Sequence, residues 1–390
     1  MAERAEEDIR FNVATLMGDE LAYVEESMRS GLTTSSGPFS ERARALLREV
    51  VPASEVMLTT SCTAALELSA LLLDLQPGDC VMVPSFTFST SALAFAREGA
   101  RLVFCDIEDQ TMGADPADVE LQLRRAEEAG LRVRALVVVH YAGVPCRLDE
   151  LQEVLDRHPG VSLVEDNAHG LYGRHRGRPL GSFGRFATQS FHATKNFSCG
   201  EGGALLVNDP ADVDRARVLY DKGTNRRAFM LGQVDKYSWV DTGSSFGLSD
   251  VLAAHLLGQL EQAERIQAGR ARICARYREA LADLAAAQQL RLPHVPETAD
   301  PAYHMFYVLL PDRAARDRVL SSMNADGVRA VFHYVPLHSS VAGRRFAALP
   351  AECPVTDDIS GRLLRLPLHL SLSDADVDRV VDALVRALGG

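Results

Sequence analysis

Alternation constrains this chain more tightly than any other feature of its sequence. Between about residues 55 and 210, short runs rich in Val, Leu and Phe are bounded by Gly, Pro, Asp or Asn. The runs are Val56–Leu58, Cys80–Val83, Arg101–Cys105, Ala135–Val139, Val161–Val164, Ala187–Phe191 and Ala204–Val207. Between several of them lie segments with helical spacing, such as Thr63–Leu75, Pro116–Ala129 and Leu148–His158. Strands that alternate with helices are joined by crossovers, and crossovers cover both faces of a mostly parallel sheet. The predicted class is α/β.

A second pattern follows. From Asp250 to about Leu284, Leu252, Leu256, Leu260, Ala263, Ile266, Ile273, Tyr277 and Leu281 fall mostly three or four residues apart, with charged residues opposite. This predicts one long helix of about 50 Å at 1.5 Å per residue, enough to leave one domain and enter another. Met305–Leu310 and Arg329–His333 read as strands, and Asp374–Leu388 as an amphipathic terminal helix. The expected organisation is a large domain over residues 1–260 and a smaller C-terminal α+β domain over residues 261–390.

Composition removes several functions. A net charge of −12 over 390 residues gives no electrostatic footprint for nucleic acid or an anionic membrane. Apolar runs stay far below the roughly 20 residues of a membrane span. The acidic start of the chain, with Glu3, Glu6, Glu7 and Asp8, does not match a signal peptide. The seven cysteines are scattered without CxxC spacing, which predicts reduced thiols in a cytoplasmic protein and no structural metal. No GxGxxG joins an early strand to a helix, which argues against a nucleotide-binding oxidoreductase.

Four segments carry chemistry. Ser190-Phe191-His192-Ala193-Thr194-Lys195-Asn196, followed by Gly200-Glu201-Gly202-Gly203, places a lysine just after an apolar strand. Such a lysine is either a solvated loop residue or an amine that forms an imine with a carbonyl compound. Asp166 follows the run Val161–Val164, at the carboxyl end where open α/β sheets place ligands. It either caps a turn or pairs with a protonated ring nitrogen. Thr59-Thr60-Ser61-Cys62-Thr63 precedes an apolar helix, whose first turn either ends in a plain cap or holds a phosphate on free N–H groups. Pro84-Ser85-Phe86-Thr87-Phe88 puts two aromatics at a strand end, for core packing or for stacking on a flat ring. Each segment alone is ambiguous; their order along one sheet is what makes them converge.

These segments resemble the DegT/DnrJ/EryC1/StrS group of pyridoxal 5′-phosphate (PLP) dependent sugar aminotransferases, of the aspartate-aminotransferase-like, type I PLP-dependent transferase fold. The resemblance runs from about Phe11 to Leu388 and includes His140-Tyr141-Ala142-Gly143, Glu165–His169 and His333-Tyr334-Val335-Pro336-Leu337-His338. Gly223-Thr224-Asn225-Arg226 and Gln233–Tyr237 look like the branch that makes dTDP-4-amino-4,6-dideoxyhexoses, in the glucose or galactose form. The resemblance implies Lys195 as Schiff-base lysine and proton carrier, with Asp166 on the pyridine nitrogen. His169 takes the ring hydroxyl and Phe88 the ring face. Cys62 and Thr63 amides with the Ser190 hydroxyl hold the phosphate. Many relatives have Gly-Tyr-Asn-Tyr-Arg where this chain has Gly243-Ser244-Ser245-Phe246-Gly247, so Ser245 takes the place of the Asn that reaches a neighbouring subunit's cofactor. Arg226, His333 and His338 are implied at the sugar-nucleotide pocket, and Cys62 replaces a common Gly. Two half-reactions follow from the resemblance, from glutamate to PLP, giving pyridoxamine phosphate, and then to C4 of a dTDP-4-keto-6-deoxyhexose, in a homodimer with shared sites. The alternatives are a PLP-dependent sugar dehydratase or lyase, against which Lys195 weighs, and a non-catalytic PLP-binding regulator, which lacks its DNA-binding module here.

Overall fold

The computed structural model describes residues 8–389. The start of the chain up to residue 7, on which the signal-peptide reading partly rests, lies outside the described residues, as does residue 390. The helices as far as β5 are α1 (Glu20–Ser30), α2 (Pro38–Val50), α3 (Cys62–Leu72), α4 (Thr90–Arg97), α5 (Pro116–Glu128) and α6 (Leu148–Arg157). The strands among them are β1 (Glu55–Thr59), β2 (Asp79–Pro84), β3 (Arg101–Cys105), β4 (Arg132–Val139) and β5 (Ser162–Asp166). Two-residue strands β6 (Arg174–His175) and β7 (Arg178–Pro179) precede β8 (Phe186–Ser190) and β9 (Gly203–Val207).

Seven strands form the central sheet in the order β1-β9-β8-β5-β4-β2-β3. The block from β8 to β3 is parallel, as expected, and β9 runs antiparallel to both neighbours. Since β1 and β8 both oppose β9, they point the same way, and the carboxyl ends of β1, β2, β4, β5 and β8 share one edge. Burial explains the continuous apolar runs. Val81 and Val83 pack into one core, and Cys80 and Met82 into another on the opposite face.

Beyond the sheet come α7 (Val213–Tyr220), α8 (Arg226–Met230), α9 (Asp250–Leu260), α10 (Ala263–Ala280) and α11 (Ala282–Ala286). The single long helix expected from Asp250 onward is therefore three. The bonding pattern slips at the first junction, where the Gln262 N–H turns to the Gln259 carbonyl. The two sides also pack differently: Leu256 and Leu257 of α9 join the core of the large domain, whereas Ile273 and Tyr277 of α10 join that of the small one. A 3.6-residue period continues through such a break, because it reports which face is apolar and not whether the axis is straight.

The small domain is built from β11 (Phe306–Leu309) and β12 (Leu363–Leu366), paired antiparallel and packed on α10, α12 (Arg313–Ala325) and α15 (Asp374–Gly389). Strand β10 (Ala299–Asp300) instead pairs with β6, and α13 (Val341–Phe346) and α14 (Pro354–Arg362) complete the chain. Arg329–His333, expected as a strand, makes one bridge between Val331 and Arg365. The ladder stops there because the next residues turn toward Tyr141, to which the His333 ring bonds.

Candidate active site

Each parallel strand of the central sheet delivers its group to the same edge. Strand β5 ends on Asp166, which is buried. Its neighbour Glu165 points the other way and accepts from His140 Nε2 at 2.9 Å and from the backbone N–H groups of Gly181, Phe183 and Gly184 at 2.7–2.8 Å. Four donors on one buried carboxylate fix the strand end, and with it the direction of Asp166.

Asp166 is itself gripped from two sides. Ser91 Oγ on α4 donates to Oδ2 at 2.6 Å, and the Ala168 N–H donates to Oδ1 at 3.2 Å. Thr87 Oγ1 lies 2.8 Å from Ser91 Oγ. With Ser91's only proton on the carboxylate, Thr87 is the donor to Ser91. The relay fixes the orientation of the Asp166 carboxyl and leaves lone pairs free for one more donor.

Lys195 lies on the connection between β8 and β9, partly buried. Among the described residues its Nζ has neither a hydrogen bond nor an ion pair. Burial pulls it down from 10.5 to about 8; the nearby Cys62 and Asp166 oppose the shift and the Arg365 charge adds to it. Asn196 anchors the next position, donating to the Ala302 carbonyl at 2.6 Å while its Oδ1 accepts from His304 Nδ1 at 2.9 Å.

His169 and His304 stack with centroids 4.2 Å apart and planes at 17°. Burial, with Lys195 and neighbouring histidines adding charge, holds both well below the usual imidazole range. Both are neutral at pH 7, and His169 Nδ1 is buried without a partner. His333 is pushed down to about 2 by burial, and its Nδ1 lies 2.9 Å from the Tyr141 hydroxyl. Tyr334 stacks on His333 at 3.5 Å.

The helix end at α3 forms the remaining wall. Ser61 caps it by accepting from the Ala64 N–H at 3.0 Å, which leaves the first-turn amides of Cys62 and Thr63 without an intrahelical acceptor. Cys62 Sγ lies 3.5 Å from Thr188 Oγ1, and Thr188 pairs with Asp166 in the sheet. Gly203 of β9 passes directly beneath: a Cβ there would lie 2.4 Å from Cys62 N. The Gly-Glu-Gly-Gly run is thus needed for close approach as well as for the turn at Gly200, where φ is +87°.

The structure brings Lys195, Asp166, His169, Cys62, Thr63 and Ser190 to this edge. Phe88 stands over the cleft with 57% of its surface exposed, 6.3 Å from Tyr334. His338 is fastened elsewhere, with Nδ1 2.7 Å from Ser85 Oγ and Nε2 3.7 Å from Asp357. Arg226 begins α8 and is exposed, and Ser245 is exposed on the loop that bridges to Asp221. Ser91, His304 and Arg365 belong to the cluster without having been singled out in the sequence, and Tyr141 joins it from the His140-Tyr141-Ala142-Gly143 motif. Among the described residues no group of three metal-binding side chains exists, and no helix is long and apolar enough to cross a membrane.

A cofactor with an aldehyde, a protonated ring nitrogen, a ring hydroxyl and a phosphate fits these groups. The unpaired Lys195 amine, the oriented Asp166 carboxyl, the orphaned His169 Nδ1 and the free amides at Cys62 and Thr63 are complementary to them in turn. Comparison with known proteins agrees. The profile of the DegT/DnrJ/EryC1/StrS aminotransferase family matches residues 15–385. The aminotransferase TlmJ from Streptoalloteichus hindustanus is 32% identical, with 98% of this chain and 99% of that one covered and a TM-score of 0.87. DesV from S. venezuelae, solved in complex with a ketimine intermediate, is 30% identical over 98% and 99% of the two chains, with a TM-score of 0.87. A DegT DnrJ EryC1 StrS aminotransferase from Brucella abortus is 27% identical over 95% of each chain, with a TM-score of 0.86.

Proposed function

This chain belongs to the DegT/DnrJ/EryC1/StrS aminotransferase family, whose members depend on PLP, and from that footing we propose that it moves an amino group from glutamate to C4 of a dTDP-4-keto-6-deoxyhexose. The observation that carries the reading is the unpaired Lys195 amine on the same sheet edge as the gripped Asp166. The product is a dTDP-4-amino-4,6-dideoxyhexose. When bound, PLP supplies an electrophilic aldehyde and a ring that spreads the electron pair left on the reacting carbon.

The chain's own groups divide the remaining work. Cys62 and Thr63 amides with the Ser190 hydroxyl hold the phosphate, and the α3 dipole favours its charge. Asp166, oriented by Ser91 and the Ala168 N–H, would pair with the ring nitrogen. Neutral His169 offers Nδ1 to the ring hydroxyl, and Phe88 covers the ring face. Lys195 Nζ, as a free amine, would carry a proton from the donor's Cα to C4′ of the cofactor in the first half-reaction and from C4′ to C4 of the sugar in the second; its lowered pKa suits both directions. The buried rings of Tyr141 and His304, with half-buried His333, exclude water from that transfer.

A homodimer with shared sites completes the proposal. Phe229, Met230, Leu231, Tyr237 and Trp239 form an exposed apolar run, with Trp239 81% exposed, and a monomer rarely leaves such a patch in water. Arg226 and Ser245 flank that run in sequence; Arg226 would meet the nucleotide's diphosphate and Ser245 the neighbouring subunit's cofactor phosphate. The deciding experiment incubates holoenzyme with glutamate and dTDP-4-keto-6-deoxyglucose and identifies the product by NMR. A C4 amine carrying the glutamate nitrogen is expected, and Lys195→Ala abolishes it together with the visible absorbance of bound PLP. Elimination without nitrogen transfer overturns the reading.

A further inference from the structure

A groove lies outside the cofactor cluster, where α10, the segment from Arg291 to Tyr303 and the loop after β3 meet. Its two chambers, of about 720 and 500 Å³, each fall in the range of small-molecule sites, about 300–1,000 Å³. They share a wall of Arg278, Pro293, Val295, Pro301 and Tyr303, and none of Lys195, Asp166, His169 or Cys62 lines either one.

The sequence of α10 explains the apolar chamber. Ile266, Ile273 and Tyr277 enter the domain cores, while Ala268, Ala271, Ala275 and Arg278 recur three or four residues apart on another face. That face lines the groove, and Val144 and Met305 complete the apolar lining. Small side chains along the strip leave room beside the helix, and an arginine ends it.

The polar chamber holds groups that nothing in the fold uses. Tyr307 on β11 is 3% exposed and lines it, yet its hydroxyl has no hydrogen-bond partner among the described residues. Burial pushes that hydroxyl up, so it remains a proton donor. Arg291 is taken up by Asp109, bonding both its carboxylate and its carbonyl. Two charges stay open. Arg278 donates only to the Pro293 carbonyl at 3.1 Å, and the Asp300 carboxylate on β10 has neither a hydrogen bond nor an ion pair among the described residues. Burial raises the Tyr303 hydroxyl, Asp300 adds to the rise and Arg278 opposes it, so both charges lie near that ring. Tyr303 itself has φ +52°, a left-handed conformation that costs a bulky residue about 1–3 kcal/mol. Its flanks are pinned, with the Ala302 N–H on the Gly143 carbonyl at 2.8 Å and the His304 N–H on the Ala142 carbonyl at 3.1 Å.

We propose that this groove binds a free amino acid with a large apolar side chain, at a site separate from the Lys195 cleft. The Arg278 guanidinium and the Tyr307 hydroxyl meet its carboxylate, Asp300 meets its ammonium, and its side chain lies along the alanine strip. A zwitterion answers two open charges of opposite sign at once. A plain anion would set a like charge beside Asp300, and a polar body would leave the alanine strip in contact with water. The site is independent of the sugar and donor assigned above.

Calorimetry tests this on PLP-loaded protein treated with borohydride, so that no amino acid reacts at Lys195. L-Phenylalanine and L-leucine are the probes, and saturable one-to-one binding of at least one is expected. Arg278→Met and Asp300→Asn each weaken it about tenfold or more, and Ala275→Trp, which fills the apolar chamber, removes it. All three positions are exposed, and circular dichroism with the absorbance of bound PLP checks that the variants fold. 3-Phenylpropanoate, which lacks the ammonium, binds more weakly than L-phenylalanine and is no weaker in Asp300→Asn. Glycine, which lacks the apolar body, does not bind. Absence of saturable binding for both amino acids at millimolar concentration overturns the proposal. Binding that Arg278→Met and Ala275→Trp leave unchanged also overturns it and places the ligand elsewhere. Tighter binding of 3-phenylpropanoate than of L-phenylalanine overturns the zwitterion and leaves a site for anions.

Discussion

With Lys195 at about 8, roughly a tenth of the molecules carry a neutral amine there at pH 7, against about 3 in 10,000 for a lysine at 10.5. The shift is a loss of affinity for the proton caused mainly by burial, so the reactive form grows as pH rises toward 8 and then saturates. The rate of PLP uptake by apoprotein should therefore climb about tenfold per pH unit below 8 and level off above it. Stopped-flow absorbance between pH 6 and 10 reads this directly; a climb that continues through pH 9.5 would mark an ordinary solvated lysine. Residues of this kind divide by how local their signal is. Asp166 and Ser190 were legible because each ends a strand, and Lys195 because it follows the end of β8 by five residues within its motif; a strand end is visible in sequence. Ser91, His304 and Arg365 were not, since their roles come from where a helix turn, a domain crossover and a distant strand happen to meet.

At the scale of elements, the close passage of β9 under α3 does most to shape the phosphate end of the site. Gly203→Ala puts a methyl carbon against backbone atoms of Ser61 and Cys62, which cannot rotate away as a side chain would. The expected cost is about 1–3 kcal/mol of stability, with weaker PLP retention because the same shift moves the Cys62 and Thr63 amides. Urea unfolding with and without PLP measures both effects; a variant of wild-type stability and PLP affinity would show that the approach is looser. All seven strands of the central sheet were legible as apolar runs, since burial on both faces leaves few polar residues inside them. The direction of β9 was not, because a run buried on both faces looks the same whichever way it runs. The break after Leu260 was hidden for a related reason: the apolar stripe continues while its packing partner changes.

For the whole molecule, the exposed run from Phe229 to Trp239 predicts self-association. Sedimentation at micromolar concentration should give twice the chain mass, and Trp239→Arg should weaken the dimer by about 2 kcal/mol, near 30-fold in dissociation constant. Turnover should fall with dissociation while the fold of each subunit, read by circular dichroism, persists. A fully active monomer would refute shared sites. The change of apolar pattern near residue 260 is visible in the sequence, whereas which surfaces meet a second copy is a property of shape that no linear pattern records.

One feature of the sheet bears on how such a protein can vary. Strands β3 to β4 and β4 to β5 are joined through α5 and α6, and neither helix carries a residue of the cofactor cluster. The chain carrying Lys195 leaves at Ser190 and re-enters at Gly203, residues paired with each other across β8 and β9, so it is a closed clasp anchored at both ends. Insertions and deletions can accumulate elsewhere in such a scaffold and diversify what it accepts, while this clasp stays at fixed length and the amine stays where it is.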